Sequence, residues 1–273
     1  MESQNCSNPG GDEGALRVLK LAVGVACVGA ARPLLDGSED LLECVRRSNG
    51  PDRMLGSLLA MLLVSAGVAL LFGVYRGCRW CRLLSWMGWL LLPAVTVFFL
   101  SNALCRSGLY WEDPLKQGAL LNHALRYVAP VVLLTWMWSV RKGSVPLGGG
   151  GLWMLRGAAA ATFLGHGLNA LRGSPSHVEL IQLTFGAGVS DPMAEIALDV
   201  IGCVDVLAAV LVLAKSWRWL ALWMAAWGMV AVASRLTAYG IAGGWDAAAI
   251  RACNAGVPLV IWMVWRRSAA GRG

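Results

Sequence analysis

The chain has 273 residues, of which 57% are hydrophobic and 14% charged, whereas a soluble domain carries roughly a quarter charged residues. With a mean hydropathy of +0.60, the composition excludes a soluble globular enzyme and points to the membrane. The net charge of +7 does not point to nucleic acid, because the basic residues cluster at the ends of apolar runs rather than on one readout face.

Residues 1–14 read as a polar cytoplasmic tail. With Asp12 and Glu13 it lacks the basic start of a secretory signal. Gly24-Val-Ala-Cys27 faintly resembles a lipoprotein cleavage site, but the helix around it has a later counterpart and is read as retained. Apolar runs near the ~20 residues needed to cross a bilayer as a helix predict eight transmembrane helices. They are placed at about 15–35, 54–75, 82–104, 119–140, 152–172, 194–214, 217–239 and 249–266. Many of the 14 Trp residues fall near span ends, where an amphipathic ring favours the headgroup region.

One set of segments holds Arg17, Lys20, Arg76, Arg79, Arg82, Arg141, Lys142, Arg156, Lys215, Arg218, Arg266 and Arg267. The opposite loops mix bases with Asp36, Glu39, Asp40 and Glu43. The positive-inside rule therefore puts both termini in the cytoplasm, and the expected location is the cell inner (cytoplasmic) membrane. Two outer loops contain amphipathic stretches, Asp40-Leu-Leu-Glu-Cys-Val and His177-Val-Glu-Leu-Ile-Gln-Leu. Each reads equally as a short interfacial helix or a solvated loop.

Residues 142–151, Lys-Gly-Ser-Val-Pro-Leu-Gly-Gly-Gly-Gly, read as a flexible cytoplasmic linker. The two sides can be laid over each other. Arg17 falls on Arg156, Trp80 and Trp86 on Trp217 and Trp223, Trp111 on Trp245, and Pro130 on Pro258. The predicted fold class is an all-α membrane protein of two parallel-topology four-helix repeats, residues 15–141 and 152–267, followed by a tail at 268–273.

Polar residues in the later spans lie at similar depth. His166, Asp199, Arg235 and Asn254 are expected near the outer ends of their helices, with Asp205 deeper. Ionisable groups inside a membrane usually turn inward and pair, so Asp199 or Asp205 is expected to neutralise Arg235. The competing readings are a structural ion pair with a satisfied core histidine, or side chains that snorkel to the interface. In the first half, Asn102, His123 and Arg126 sit at similar depth.

Cys78-Arg-Trp-Cys81 is a C-x-x-C at a helix end, but its counterpart has no Cys and there is no second pair for zinc. Cys44 and Cys105 share the outer side and are candidates for a disulfide. No P-loop, dinucleotide fingerprint or H-E-x-x-H occurs, and three histidines make no haem or copper cage. The sequence indicates no metal and assigns no catalytic residue.

Arg156-Gly-Ala-Ala-Ala-Ala-Thr-Phe-Leu-Gly-His-Gly-Leu-Asn-Ala-Leu171 resembles the first helix of the DoxX family, which opens on an Arg and ends in a Phe-x-x-His-Gly-like motif. Leu198–Leu213 resembles that family's second helix, with Asp205 where Glu is commoner. The resemblance covers about 152–266 and reaches the first half only through the repeat. It implies a membrane subunit linked to quinone or thiol redox metabolism. The expected function is binding of a lipophilic or quinone-like molecule near the outer leaflet through His166, Asp199, Asp205, Arg235 and Asn254. A quinone is the candidate cofactor, and the bilayer and other membrane subunits are the candidate partners. A small-solute transporter and a structural assembly subunit are the alternatives.

Overall fold

The computed structural model describes residues 9–48, 50–74, 79–113, 118–143, 147–186 and 188–270. Every regular element among them is a helix. In chain order these are α1 (Pro9–Asp36), α2 (Asp40–Arg47), α3 (Asp52–Phe72), α4 (Arg79–Leu109), α5 (Ala119–Asn122) and α6 (Ala124–Arg141), then α7 (Gly149–Leu171), α8 (Pro175–Phe185), α9 (Asp191–Ala214), α10 (Arg218–Ala249) and α11 (Ala252–Ala270). Most of the expected segments fall on single helices, 119–140 is divided between α5 and α6, and both amphipathic loop stretches are helical, as α2 and α8. Cys78, Arg76 and residues 144–146 of the linker lie outside the described residues.

Among the described residues five stretches are long and apolar enough to cross a membrane: Asp12–Arg47, which contains most of α1, together with α3, the Leu83–Leu109 part of α4, α9 and α10. The chain therefore has the make-up of a multi-pass helical membrane protein. In α3, α4, α9 and α10 less than 40% of the most apolar window is buried in protein, so most of that apolar surface faces outward. On α3 the outward stripe is Leu58, Met61, Val64, Val68 and Phe72, while Gly56, Ala60, Ala66 and Gly67 face in. Large residues outside and small ones inside is the membrane pattern, since lipid supplies no hydrophobic drive and close backbone approach supplies the packing. Helices α6, α7 and α11 are shorter or less apolar and occupy the middle of the bundle, packing against one another and against α1. A helix whose neighbours are other helices has less need of an apolar exterior.

The contacts run in parallel through the chain. α1 packs along α3, and α7 along α9. α4 packs on α6, and α10 on α11. α2 lies across α3 and α4, and α8 across α9 and α10. Between the two sets, α1 packs on α11 and α10, while α7 packs on α6 and α5. Both long crossings are made by glycine. A Cβ on Gly67 would stand 2.8 Å from the Gly24 carbonyl oxygen, and one on Gly202 would stand 2.8 Å from that of Gly167.

Helix α10 is broken at Gly240, whose φ of 70° and ψ of 168° belong to a region essentially reserved for glycine. Beyond the break the chain turns onto α1, where Arg32 donates to the Ala242 carbonyl at 2.9 Å and pairs with Asp246 at 3.2 Å. The expected span at 119–140 is interrupted in a comparable place, at His123 between α5 and α6.

One end of the bundle is rich in cations set on rings and helix carbonyls. Arg156 donates to the carbonyls of Val212 and Leu213 at 2.9 and 2.7 Å, closing the C-terminus of α9, and stacks on Trp153. Lys20 reaches the Gly73 carbonyl, just beyond α3, at 3.5 Å. Such cations meet the negative end of the helix dipole. Arg17, which the sequence overlay sets on Arg156, pairs with Glu13 at 2.6 Å. Asp12 pairs with Arg267, so the two ends of the described chain lie together. Two expected boundaries move. Helix α1 begins inside the predicted tail, at Pro9, and α7 begins at Gly149 because Leu147 folds into the space a Gly151 side chain would fill.

Candidate functional site

The neighbouring helices α9 and α10 barely touch each other. Between them lies a cavity of about 610 Å³, inside the range of small-molecule sites. α7 contributes Phe163 and His166, α8 contributes His177, Ile181 and Phe185, and α9 contributes Met193, Ile196, Val200 and Asp205. α10 contributes Trp227, Val230, Ser234 and Arg235, while Arg251 and Asn254 come from the turn before α11 and its first turn. Helix α8 roofs the cavity. It starts at Pro175 after the buried Ser174 and stops at Gly186, whose φ is 91°. Phe185, Met193, Ile196, Val200 and Val230 rim the space and are all exposed. The mouth therefore opens sideways, on the apolar outer face.

The polar groups fall in two layers. The inner layer is set by two close approaches. Gly167 meets Gly202 and Asp205, and Gly228 lies under the backbone of Asn254, where a Cβ would come within 2.4 Å of the Asn254 carbonyl oxygen. Here the Asp205 carboxylate accepts a hydrogen bond from the Trp227 indole. Trp227 stacks on Trp223 with ring centroids 6.2 Å apart. One Asp205 oxygen, Oδ1, is buried without a hydrogen-bond partner.

The outer layer holds Arg235, Arg251, His166 and His177, close enough for their charges to interact. The two imidazole rings stand edge to face, 6.4 Å apart at 87°. Arg251 donates to the Ala247 carbonyl at 2.6 Å, and Arg235 bonds Tyr239. The Nε atoms of both arginines, Nε2 of His166 and Nδ1 of His177 are buried without a partner. Burial, reinforced by Arg235 and Arg251, pushes the His177 imidazole down to about 4, so it is neutral at pH 7. The site can hydrogen-bond and charge-balance a polar head, and its walls can hold an apolar body.

The cavity brings together four of the expected site residues, His166, Asp205, Arg235 and Asn254. It does not include Asp199, which is exposed on the outer face of α9. Neither aspartate neutralises Arg235: Asp199 points away, and Asp205 lies one layer in, bonded to Trp227. Sequence reasoning missed Arg251 and His177. The signal for Arg251 is its spacing of three from Asn254, which puts both on one helical face. The signal for His177 is its place on the amphipathic loop stretch.

The polar residues of the first half cluster beneath α2. Glu39, at the start of α2, is buried, hydrogen-bonded to Asn102 and facing the charge of Arg126. Asn102 also accepts the Leu41 N–H at 3.0 Å, and Arg106 pairs with Asp40 at 3.2 Å. Cys44 and Cys105 sit side by side here as free thiols in hydrogen-bond contact. Among the described residues, no group of three or more His, Cys, Asp or Glu is placed to hold a metal ion.

No protein-family model matches the chain, nor does any curated protein or solved structure.

Proposed function

We propose that this is an eight-span membrane protein of two parallel four-helix repeats that binds a lipophilic molecule in the cavity between α9 and α10. The observation that carries the reading is the sideways mouth: an apolar chamber with a polar end, entered from the surface that faces lipid. The paired contact pattern, the two glycine crossings and the matched roles of Lys20 and Arg156 support a duplication. The cation-rich end supports an inner-membrane orientation with both termini cytoplasmic, which puts the cavity's polar end near the outer leaflet. The DoxX resemblance rests on its short motifs and adds a role as subunit of a membrane redox complex, with a quinone as one ligand.

The test is a titration of purified protein in an uncharged detergent with a lipophile such as decylubiquinone or oleyl alcohol, followed by tryptophan fluorescence. Trp227 in the cavity wall should report saturable binding, and Ala231→Trp, which fills the chamber, should abolish it. Binding that Ala231→Trp leaves unchanged removes the cavity as the site.

A further inference from the structure

We infer that the ligand of this cavity is an acidic amphiphile, with a carboxylate or phosphate head between Arg235 and Arg251 and a tail along the wall between α9 and α10. The inference rests on the lipophile-binding reading and narrows it to a charge class.

The outer layer holds two half-buried arginines whose Nε atoms are shut off from solvent. Among the described residues neither has an ion-pair partner, and no carboxylate adds to the potential at either group. Arginine stays protonated in proteins, and a counter-charge offsets its burial better than the single neutral partner each has here, the Ala247 carbonyl for Arg251 and Tyr239 for Arg235. The first half supplies that counter-charge itself: Glu39, from the surface helix α2, faces Arg126. The equivalent surface helix in the second half, α8, has one acid, Glu179, and it is exposed. At the place where Glu39 closes the first site, α8 presents His177 and an opening. The missing component is an anion, and the space for it is present.

Three further observations point the same way. The unpartnered atoms at this end include both arginine Nε atoms, which are donors only. Arginine's planar fork matches carboxylate and phosphate in bidentate geometry. A quinone carbonyl would accept such bonds but bring no charge. A free inorganic anion would satisfy the arginines and leave the apolar chamber and its lipid-facing mouth unused.

The experiment compares four probes on the delipidated full chain in uncharged detergent at pH 8: oleate, oleyl alcohol, decylubiquinone and inorganic phosphate. Oleate should bind at least about tenfold tighter than oleyl alcohol, as one charge-assisted hydrogen bond implies. Arg251→Gln and Arg235→Gln should bring oleate down to the affinity of oleyl alcohol for the same variant, and Arg251→Lys should restore much of the preference. Should a Gln variant not fold, Ala231→Trp, with both arginines intact, should abolish oleate binding. Equal binding of oleate and oleyl alcohol would overturn the anionic head yet leave lipophile binding standing. Binding of no lipophile at all would remove both readings, and phosphate alone binding as tightly as oleate would overturn the amphiphile.

Discussion

The two halves of this chain make parallel helix contacts and differ in what lies among their polar residues. In the first, α3 and α4 pack together, and the buried Arg126 faces Glu39 from the short helix above. In the second, the equivalent helices stand apart, and Arg235 and Arg251 face a cavity under a helix with no inward acid. A single carboxylate at the head of a surface helix separates a closed polar cluster from an open one. The lesson is that two sets of helices with parallel contacts can differ in whether a buried cation meets a carboxylate or a cavity.

The largest expected effect comes from removing the first half's counter-ion. Glu39→Gln takes away the carboxylate charge that faces the buried Arg126 and should cost about 3 kcal/mol in detergent unfolding, since it leaves a buried charge uncompensated. Asp205→Asn, which keeps a hydrogen-bond acceptor for Trp227, should cost less than about 1 kcal/mol. Equal losses for the two would erase the contrast between the halves.

Next come the crossings. Gly67→Leu and Gly202→Leu each force a side chain into carbonyl oxygen at 2.8 Å, and both should destabilise by about 1–3 kcal/mol, the usual range for overpacking. A large effect at one site and none at the other would break the parallel. The helix-end cations follow: Arg156→Ala should cost about 1–2 kcal/mol, and Lys20→Ala, with its single longer bond, about half as much. Thermal midpoints of the purified variants rank all four.

Comparable to the Lys20 effect is a pH slope. His177 binds its proton less readily when folded, at about 4, than when unfolded, near 6.5. Its contribution to stability is therefore full above pH 6.5 and is lost as the pH falls from 6.5 through 4. The groups facing it are Arg235, Arg251 and His166, all of which oppose a further proton. Discounted for partial exposure, the loss should be near 1 kcal/mol. In a wild-type against His177→Gln comparison of unfolding at pH 7 and 4.5, an unchanged slope would remove His177 from this role.

Much of the fold was legible because lipid selects for length and hydropathy, both of which a linear sequence carries. The positions of α3, α9 and α10, and the choice of His166, Asp205, Arg235 and Asn254, follow from apolar runs and polar residues at equal depth. Facing was harder to read. Asp199 and Asp205 differ by six residues, so they lie on different sides of α9, and only packing decides which side is inside. The break at Gly240 was hidden because glycine is common in membrane helices and its φ is settled by what lies beyond it. The pairing of Arg156 with helix carbonyls, like that of Lys20 with the Gly73 carbonyl, depends on the lengths of α3 and α9, which residue-by-residue alignment does not weigh.

The sideways mouth rimmed by Phe185, Met193, Ile196, Val200 and Val230 also bears on how a bound lipophile would be counted. A molecule reaching the chamber would already be dissolved in the leaflet, so occupancy would follow its mole fraction among neighbouring lipids and not its aqueous concentration. Two compounds of equal intrinsic fit would then differ in apparent potency by their partition coefficients. A change in membrane composition could load or empty the chamber with no change in the protein.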